Sequence, residues 1–414
     1  MRKLRVAALS ISAAACGAGT EVARGPEVVT DTIGDTIVVR TVAGSVWGAD
    51  ATLVPELSIG EMDGADEYLF GSIASIAVDD DHNVYVFDRQ AQHVRMFDTE
   101  GSYVRTWGGP GQGPGELQRA EAMAVLPDGR VVVRDPGNVR LQVYGPGEEP
   151  SQEWPYTTGY YTSSPLWTDD QGRTYAPARD LSQPQASFGD LLAVFDPDGT
   201  PRDTISPPHG EFEGETVTGE RDGARVTYGV PFSPRAIWAV HSSGHFVSGI
   251  SSDYKIDLEL PEGVLRIERT YEPARVFPRE ADHRRAQTER GIGMSIPGWT
   301  WDGPSIPDTK PPFSGLYSGR DGRIWVPVST EAQEVENEDH DPDNPFSTPV
   351  NWRSPLRFDV FEANGTYVGA VNPPGDFSPN PSPVFEGDDV WAVSRDDLGI
   401  QRVVRYRITL ESDP

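Results

Sequence analysis

The chain has a single cysteine, Cys16, and only three lysines, Lys3, Lys255 and Lys310. One thiol excludes an intramolecular disulfide, so packing alone must hold the body together. Positive charge is therefore almost all arginine, and it is outnumbered. Asp and Glu number 64 against 35 Lys and Arg, for a formal net charge of −29. A surface that negative repels phosphate backbones and anionic headgroups, which argues against nucleic-acid binding. The bland reading of the acidity is solubility. Signature motifs of common chemistries are missing too: HExxH, CxxC, GxSxG and a P-loop do not occur.

What is present is glycine (43), proline (37) and an ordinary share of aromatics. That mixture fits many short strands joined by tight turns, whereas a disordered chain would lack the Trp, Tyr and Val seen here. The start carries an address. Arg2, Lys3 and Arg5 precede a short apolar run over 6–15, too short to span a bilayer, and Ala13, Ala14 and Ala15 lead directly to Cys16. Residues 1–16 read as a signal peptide ending in a lipobox-like cysteine, with Ala13 where such boxes carry Leu. Residues 17–26 read as a tether, 27–50 as an N-terminal hairpin packed on the outside, and 51–414 as the body.

The body repeats itself. IASIAVDDDHNVYVFDRQAQHVRMFDTEGSYVRTWG aligns with AEAMAVLPDGRVVVRDPGNVRLQVYGPGEE, which places Asp88 and Asp135 at equivalent points, with Phe97 and Tyr144 nine residues beyond each. A period in the forties with four short strands indicates propeller blades. Looser copies follow to the C-terminus, and Asp-Gly or Asn-Gly turns recur along the body at Asp128-Gly129, Asp198-Gly199, Asp321-Gly322 and Asn364-Gly365, where glycine accepts positive φ. The last copy lacks a fourth strand, while 51–60 is a strand without a blade. The expected fold is all-β: a six-bladed propeller closed by that N-terminal strand, with one short helix in an inter-blade insertion. A seventh blade within 207–233 is the weaker alternative.

The VFD and VRD strand ends, NVRLQVY, and WGGPGQGPGEL at 107–117 resemble NHL-repeat propellers. More narrowly they resemble exported bacterial six-bladed β-propeller proteins, many of them lipoproteins. The resemblance covers about 35–410 and implies the fold. It implies no single activity, because such propellers include scaffolds, lyases and lactone hydrolases.

Loops between first and second strands, and between third and fourth, are uniformly short. The extra length lies in 178–189, 207–233, 272–313 and 328–354, all leaving the same side of the ring. Long loops on a rigid scaffold usually carry function, so this side is the expected working surface. PREADHRRAQTERG at 278–291 reads as a helix opened by Pro278 and closed by Gly291, presenting His283, Arg284, Arg285 or Arg290. Arg89, His93, Arg134 and Asn138 stand where strand ends meet this side. Tyr160, Tyr161, Trp299, Trp301 and Trp352 add loop aromatics, which either stack on a ligand or anchor their own loops. Asp88 and Asp135 are expected to bind loop backbone instead.

Metal signals are thin. His241 and His245 flank a Ser-Ser-Gly turn, a poor zinc geometry. Asp339, Asp341 and Asp343 alternate as in calcium loops, but Asn344 replaces the turn glycine and Val350 stands where the bidentate Glu belongs. No cofactor is expected, with calcium at these aspartates an outside alternative and a solvated charge run the default. Two functions remain open: an envelope binding module for a peptide, glycan or protein, and a metal-dependent lyase or lactonase with its site at the channel mouth. No catalytic residue is assigned, and a monomer, exported and lipid-anchored or else secreted, is expected. If Cys16 carries the anchor, Cys16→Ser moves the protein from the membrane to the soluble fraction on fractionation; unchanged partition refutes the anchor.

Overall fold

The computed structural model describes residues 25–147, 151–156, 164–179, 191–338, 340–344 and 347–411. The expected signal peptide, most of the tether and Cys16 lie outside them.

Six antiparallel units follow one another along the chain. A ribbon comes first, formed by β1 (Glu27–Ile33), β2 (Thr36–Ala43) and β3 (Ala51–Ile59). Unit one holds β4 (Ile73–Val78), β5 (Val84–Asp88), β6 (His93–Phe97) and β7 (Tyr103–Gly108). Unit two holds β8 (Ala122–Val125), β9 (Val131–Asp135), β10 (Arg140–Tyr144) and β11 (Gln152–Pro155). Unit three holds β12 (Trp167–Thr168), β13 (Thr174–Ala178), β14 (Leu191–Phe195) and β15 (Pro201–Ile205). After the hairpin β16 (Thr216–Arg221) and β17 (Ala224–Gly229), unit four holds β18 (Ala236–Val240), β19 (Phe246–Ile250), β20 (Lys255–Leu260) and β21 (Gly263–Arg269). The helix α1 (Pro278–Gly293) follows. Unit five holds β22 (Tyr317–Ser318) and β23 (Ile324–Pro327), then the hairpin β24 (Gln333–Glu336) and β25 (Val350–Arg353), then β26 (Phe358–Phe361) and β27 (Tyr367–Asn372). Unit six holds β28 (Phe377–Ser378), β29 (Val384–Glu386), β30 (Asp389–Arg395) and β31 (Gln401–Leu410), completed by β3.

The short turns explain why these units form. Asp79, Asp98, Asp169 and Asp396 each accept hydrogen bonds from backbone N–H groups two and four residues on. Such Asx turns favour the reversal locally. Glycine then takes the left-handed position, as at Gly129 (φ 80°) and Gly322 (φ 81°).

The core is not one mass but six slabs, each between successive units. Val86 and Phe97 of unit one meet Trp391 and Val403 of unit six. Tyr85 and Val94 meet Met123 and Val131 of unit two. Leu141 and Trp154 meet Ala176 and Phe195 of unit three. Leu192 and Val194 meet Val240 and Phe246 of unit four. Ile256 and Leu265 meet Ile324 and Phe361 of unit five, and Trp325 and Phe358 meet Val390 and Tyr406 of unit six. Each large side chain so buried contributes about 1.5–3 kcal/mol. Hydrogen bonds cross the same boundaries, among them Asp170 N to the Ser242 carbonyl, Arg320 N to the Phe385 carbonyl and Ile73 N to Gln401 Oε1, the last joining unit six to unit one.

First, 51–60 does pair as expected, with Ala51 opposite Leu410 and Ile59 opposite Val403. Second, the N-terminal hairpin is not a separate appendage. β2 pairs in parallel with β21, which extends the unit-four sheet to six strands. The edge of β21 offered unpaired backbone groups, and β2 could bury Val38 and Val39 by taking them. From there Val46 and Trp47 donate to the Tyr367 and Val368 carbonyls, and Ala51 and Thr52 lie beside Val371 and Asn372. The ribbon is thus a belt across units four, five and six. A side chain at Gly369 would collide with the Trp47 ring, at 2.5 Å from an added Cβ, so glycine is required there. Third, α1 begins at Pro278 as expected but runs past Gly291 to Gly293. The extra residues bury Ile292 completely, which outweighs the cost of about 1 kcal/mol for a helical glycine. The segment 207–233 holds a hairpin paired only with itself, not a seventh blade.

If β3 holds the closing unit by burial, Leu53→Ala (4% exposed) costs about 2–5 kcal/mol in denaturant melts. Val54→Ala, next in the chain but 44% exposed, changes stability by no more than about 0.5 kcal/mol.

Candidate functional site

The insertions do leave one side, and those described pack into a single cap. Val217, Val230, Val276, Ile292, Ile296 and Ile306 form its core. The cap is pinned to unit five. Lys310, 6% exposed, pairs with the fully buried Glu280 of α1 at 2.9 Å and donates to the Thr330 carbonyl and Ser354 Oγ. Phe277 stacks on Trp352 at 6.1 Å, and Arg279 pairs with Glu334 at 2.7 Å. Most of the insertion at 178–189 lies outside the described residues.

The expected ligand-contacting residues fall into two groups. His283, Arg284, Trp299 and Trp301 belong to the cap. Trp299 meets Trp301 edge to face, and Trp301 donates its indole N–H to the Pro304 carbonyl and its backbone N–H to Glu289, so this pair anchors its own loop. Burial, then Arg284 and Arg290, push the His283 pKa down, favouring neutral imidazole. Arg284 donates to Gln287. The second group lies in units one and two and is largely structural. Arg134 is fully buried, 3.4 Å from Glu121, and donates to the Ser164 carbonyl. Asn138 donates to Asp135 and to the Gly111 carbonyl. Asp88 accepts from the N–H groups of Gly71, Ser72, Gln90 and Ala91, the expected loop-binding role. Arg89 is exposed. His93 Nε2 is buried without a hydrogen bond among the described residues, and burial lowers its pKa. Tyr160, Tyr161 and Asp339 lie outside the described residues.

Asp341 accepts from the N–H of Asp343 at the tip of the β24–β25 hairpin. His241 lies between Ser243 and the Gly322 carbonyl, 3.0 Å from Nε2, and burial depresses its pKa. Among the described residues no three His, Cys, Asp or Glu side chains are grouped to hold a metal ion.

Sequence reasoning missed a cleft of about 300 Å³ between units four and five, whose walls include Tyr254, Arg269, Tyr271, Pro311, Pro312 and Arg357. It lies on the side that carries the insertions, because its wall comes from the connection after β21, the insertion after β23 and the residue before β26. Behind it sits Asp359, fully buried. Asp359 accepts from Tyr254 OH at 2.7 Å, Tyr367 OH at 3.0 Å and Arg269 Nη1, whose guanidinium lies 4.0 Å over the Tyr367 ring. Burial and the facing carboxylate push the Tyr254 pKa far up, so its proton stays in place. Arg357 is held by Asp50 of the belt at 2.6 and 3.0 Å, and by Asn372. Two fixed guanidinium groups thus border one opening. The one available signal was an arginine at each boundary between a strand and a long insertion.

A family model described as 6-bladed beta-propeller matches residues 61–133. No curated protein matches the sequence. Among solved structures the chain is similar to a member of the DUF4221 family from Bacteroides vulgatus, at 11% identity over 88% of this chain and 99% of that one, with a TM-score of 0.52. It is also similar to a Bacteroides fragilis protein described as exported (10% identity, 91% and 100% covered, TM-score 0.46). A virginiamycin B lyase from Staphylococcus aureus gives 10% identity, 86% and 100% covered, and a TM-score of 0.42. The family match and the first superposition, with the sheet arrangement, show a β-propeller fold. At such identities they say nothing about activity. No helix among the described residues is long and apolar enough to cross a membrane.

The Asp50–Arg357 pair yields a pH effect. The hydrogen bond from Arg357 holds the Asp50 carboxyl below its ordinary value of 3.8. Its stabilisation is therefore complete above about pH 4 and is lost as pH falls through the lowered value. Asp50→Asn should lose less melting temperature than the wild type between about pH 5 and pH 2.5 in thermal melts.

Proposed function

We propose that the chain is a closed six-bladed β-propeller of the NHL-like kind. It is exported, held at the cell envelope by a lipid on Cys16, and acts as a binding module for a peptide, glycan or protein segment. The ligand seats on the side that carries the insertions, at the cleft between units four and five. One observation carries this reading: the cleft opens on the inserted side with its polar groups already fixed. Asp359 and Asp50 hold Arg269 and Arg357 in place before any ligand arrives. Groups fixed in advance lose little freedom on binding, which favours affinity.

Array screening of purified protein against glycans and peptides, followed by hydrogen–deuterium exchange with the best binder, tests the reading. Exchange should slow in 270–275 and 328–331 and stay unchanged in the turn at 127–130 on the opposite side. Protection confined to that opposite side, or no binder at all, refutes it.

A further inference from the structure

Resting on that reading, we infer that the cleft between units four and five is a uronate site, taking one carboxylate-bearing sugar residue. The donors come first. Arg269 uses Nη1 on Asp359, while its Nε and Nη2 bond nothing among the described residues and reach solvent. Its side chain keeps 25% of its accessibility and lines the cleft. A guanidinium tethered at one nitrogen offers the rest of its planar fork to a carboxylate. Asp359 itself is saturated by two tyrosine hydroxyls and Arg269, so it does not draw the ligand's own hydroxyls.

The charge at the opening limits the ligand to one negative charge. Glu272 lines the cleft, Asp50 stands behind Arg357 and Asp359 behind Arg269, so three carboxylates border the two guanidinium groups. A monoanion gains the fork of Arg269, whereas a dianionic phosphate is repelled by these acids about twice as strongly.

The remaining wall suits a sugar rather than a peptide. Tyr271 lies 5.8 Å from Tyr254 and is partly exposed, and Pro311, Pro312 and Val328 complete an apolar surface. Flat rings and prolines pack against the C–H faces of a pyranose. Proline has no N–H, so Pro311 and Pro312 cannot donate to an extended peptide backbone. A volume of about 300 Å³ is at the small end for ligand pockets and matches one ring with its substituents.

Calorimetric titration with methyl glucuronide and methyl galacturonide, each as free acid and as methyl ester, tests the assignment on the intact protein. At least one free acid should bind about tenfold or more tightly than its ester, the ratio expected for losing a charged hydrogen bond. Arg269→Lys keeps the charge but loses the fork, and should lower affinity for the acid alone by a similar factor. The esters need no mutation, so the test stands even where the variant folds poorly. Equal binding of acid and ester, or no uronide binding, overturns the assignment. So does a peptide whose free C-terminus binds while the uronides do not. A neutral glycan or peptide that protects 270–275 would overturn the uronate site yet leave the inserted-side reading intact; absence of every ligand there defeats both.

Discussion

A four-stranded sheet with two apolar faces cannot be stable in water unless both faces are covered. Each unit here meets that constraint by lying between two neighbours, so six slabs of core replace a single centre. No unit is satisfied until the last meets the first. β3 beside β31 matters for that reason: it supplies the strand unit six lacks, using the segment that leads into unit one. The segment before unit one and the last strand of unit six are thereby committed to one sheet.

Much of this was legible because it is local. Asp-Gly and Asn-Gly turns, strands that end in Asp and the spacing of Phe97 and Tyr144 are each fixed within a few residues, and they repeat. The loop-binding role of Asp88 and Asp135 followed from the same locality. What stayed hidden depends on partners distant in sequence. Nothing in TIVVRTVA reveals that it pairs in parallel with β21, since either direction presents the same alternation of side chains. The end of α1 was misjudged because Gly291 is a local stop signal, while the burial of Ile292 that overrides it is tertiary. The cleft was missed for the same reason. Tyr254, Arg269, Arg357 and Asp359 come from two units and carry no shared spacing, and only the fold gathers them.

The cap shows how a lysine-poor chain spends one of its few ammonium groups. Lys310 is buried against Glu280, and its other donors reach the Thr330 carbonyl and Ser354. A buried ion pair adds little net stability because both charges lose hydration. Its value here is geometric: one side chain joins the helix, the loop after it and the insertion of unit five. The cap therefore moves, if at all, as one piece with the wall of the cleft. Trp299 and Trp301 stiffen that piece by anchoring their own loop.

Strand polarity also fixes where the chain enters the body. β1 starts at Glu27 opposite Ala43, and the β2–β21 pairing ends with Thr41 beside Arg269, so the entry point sits a ribbon's width from the cleft. Anything joined to the chain ahead of Glu27 is therefore held beside that opening and away from the short turns on the opposite side.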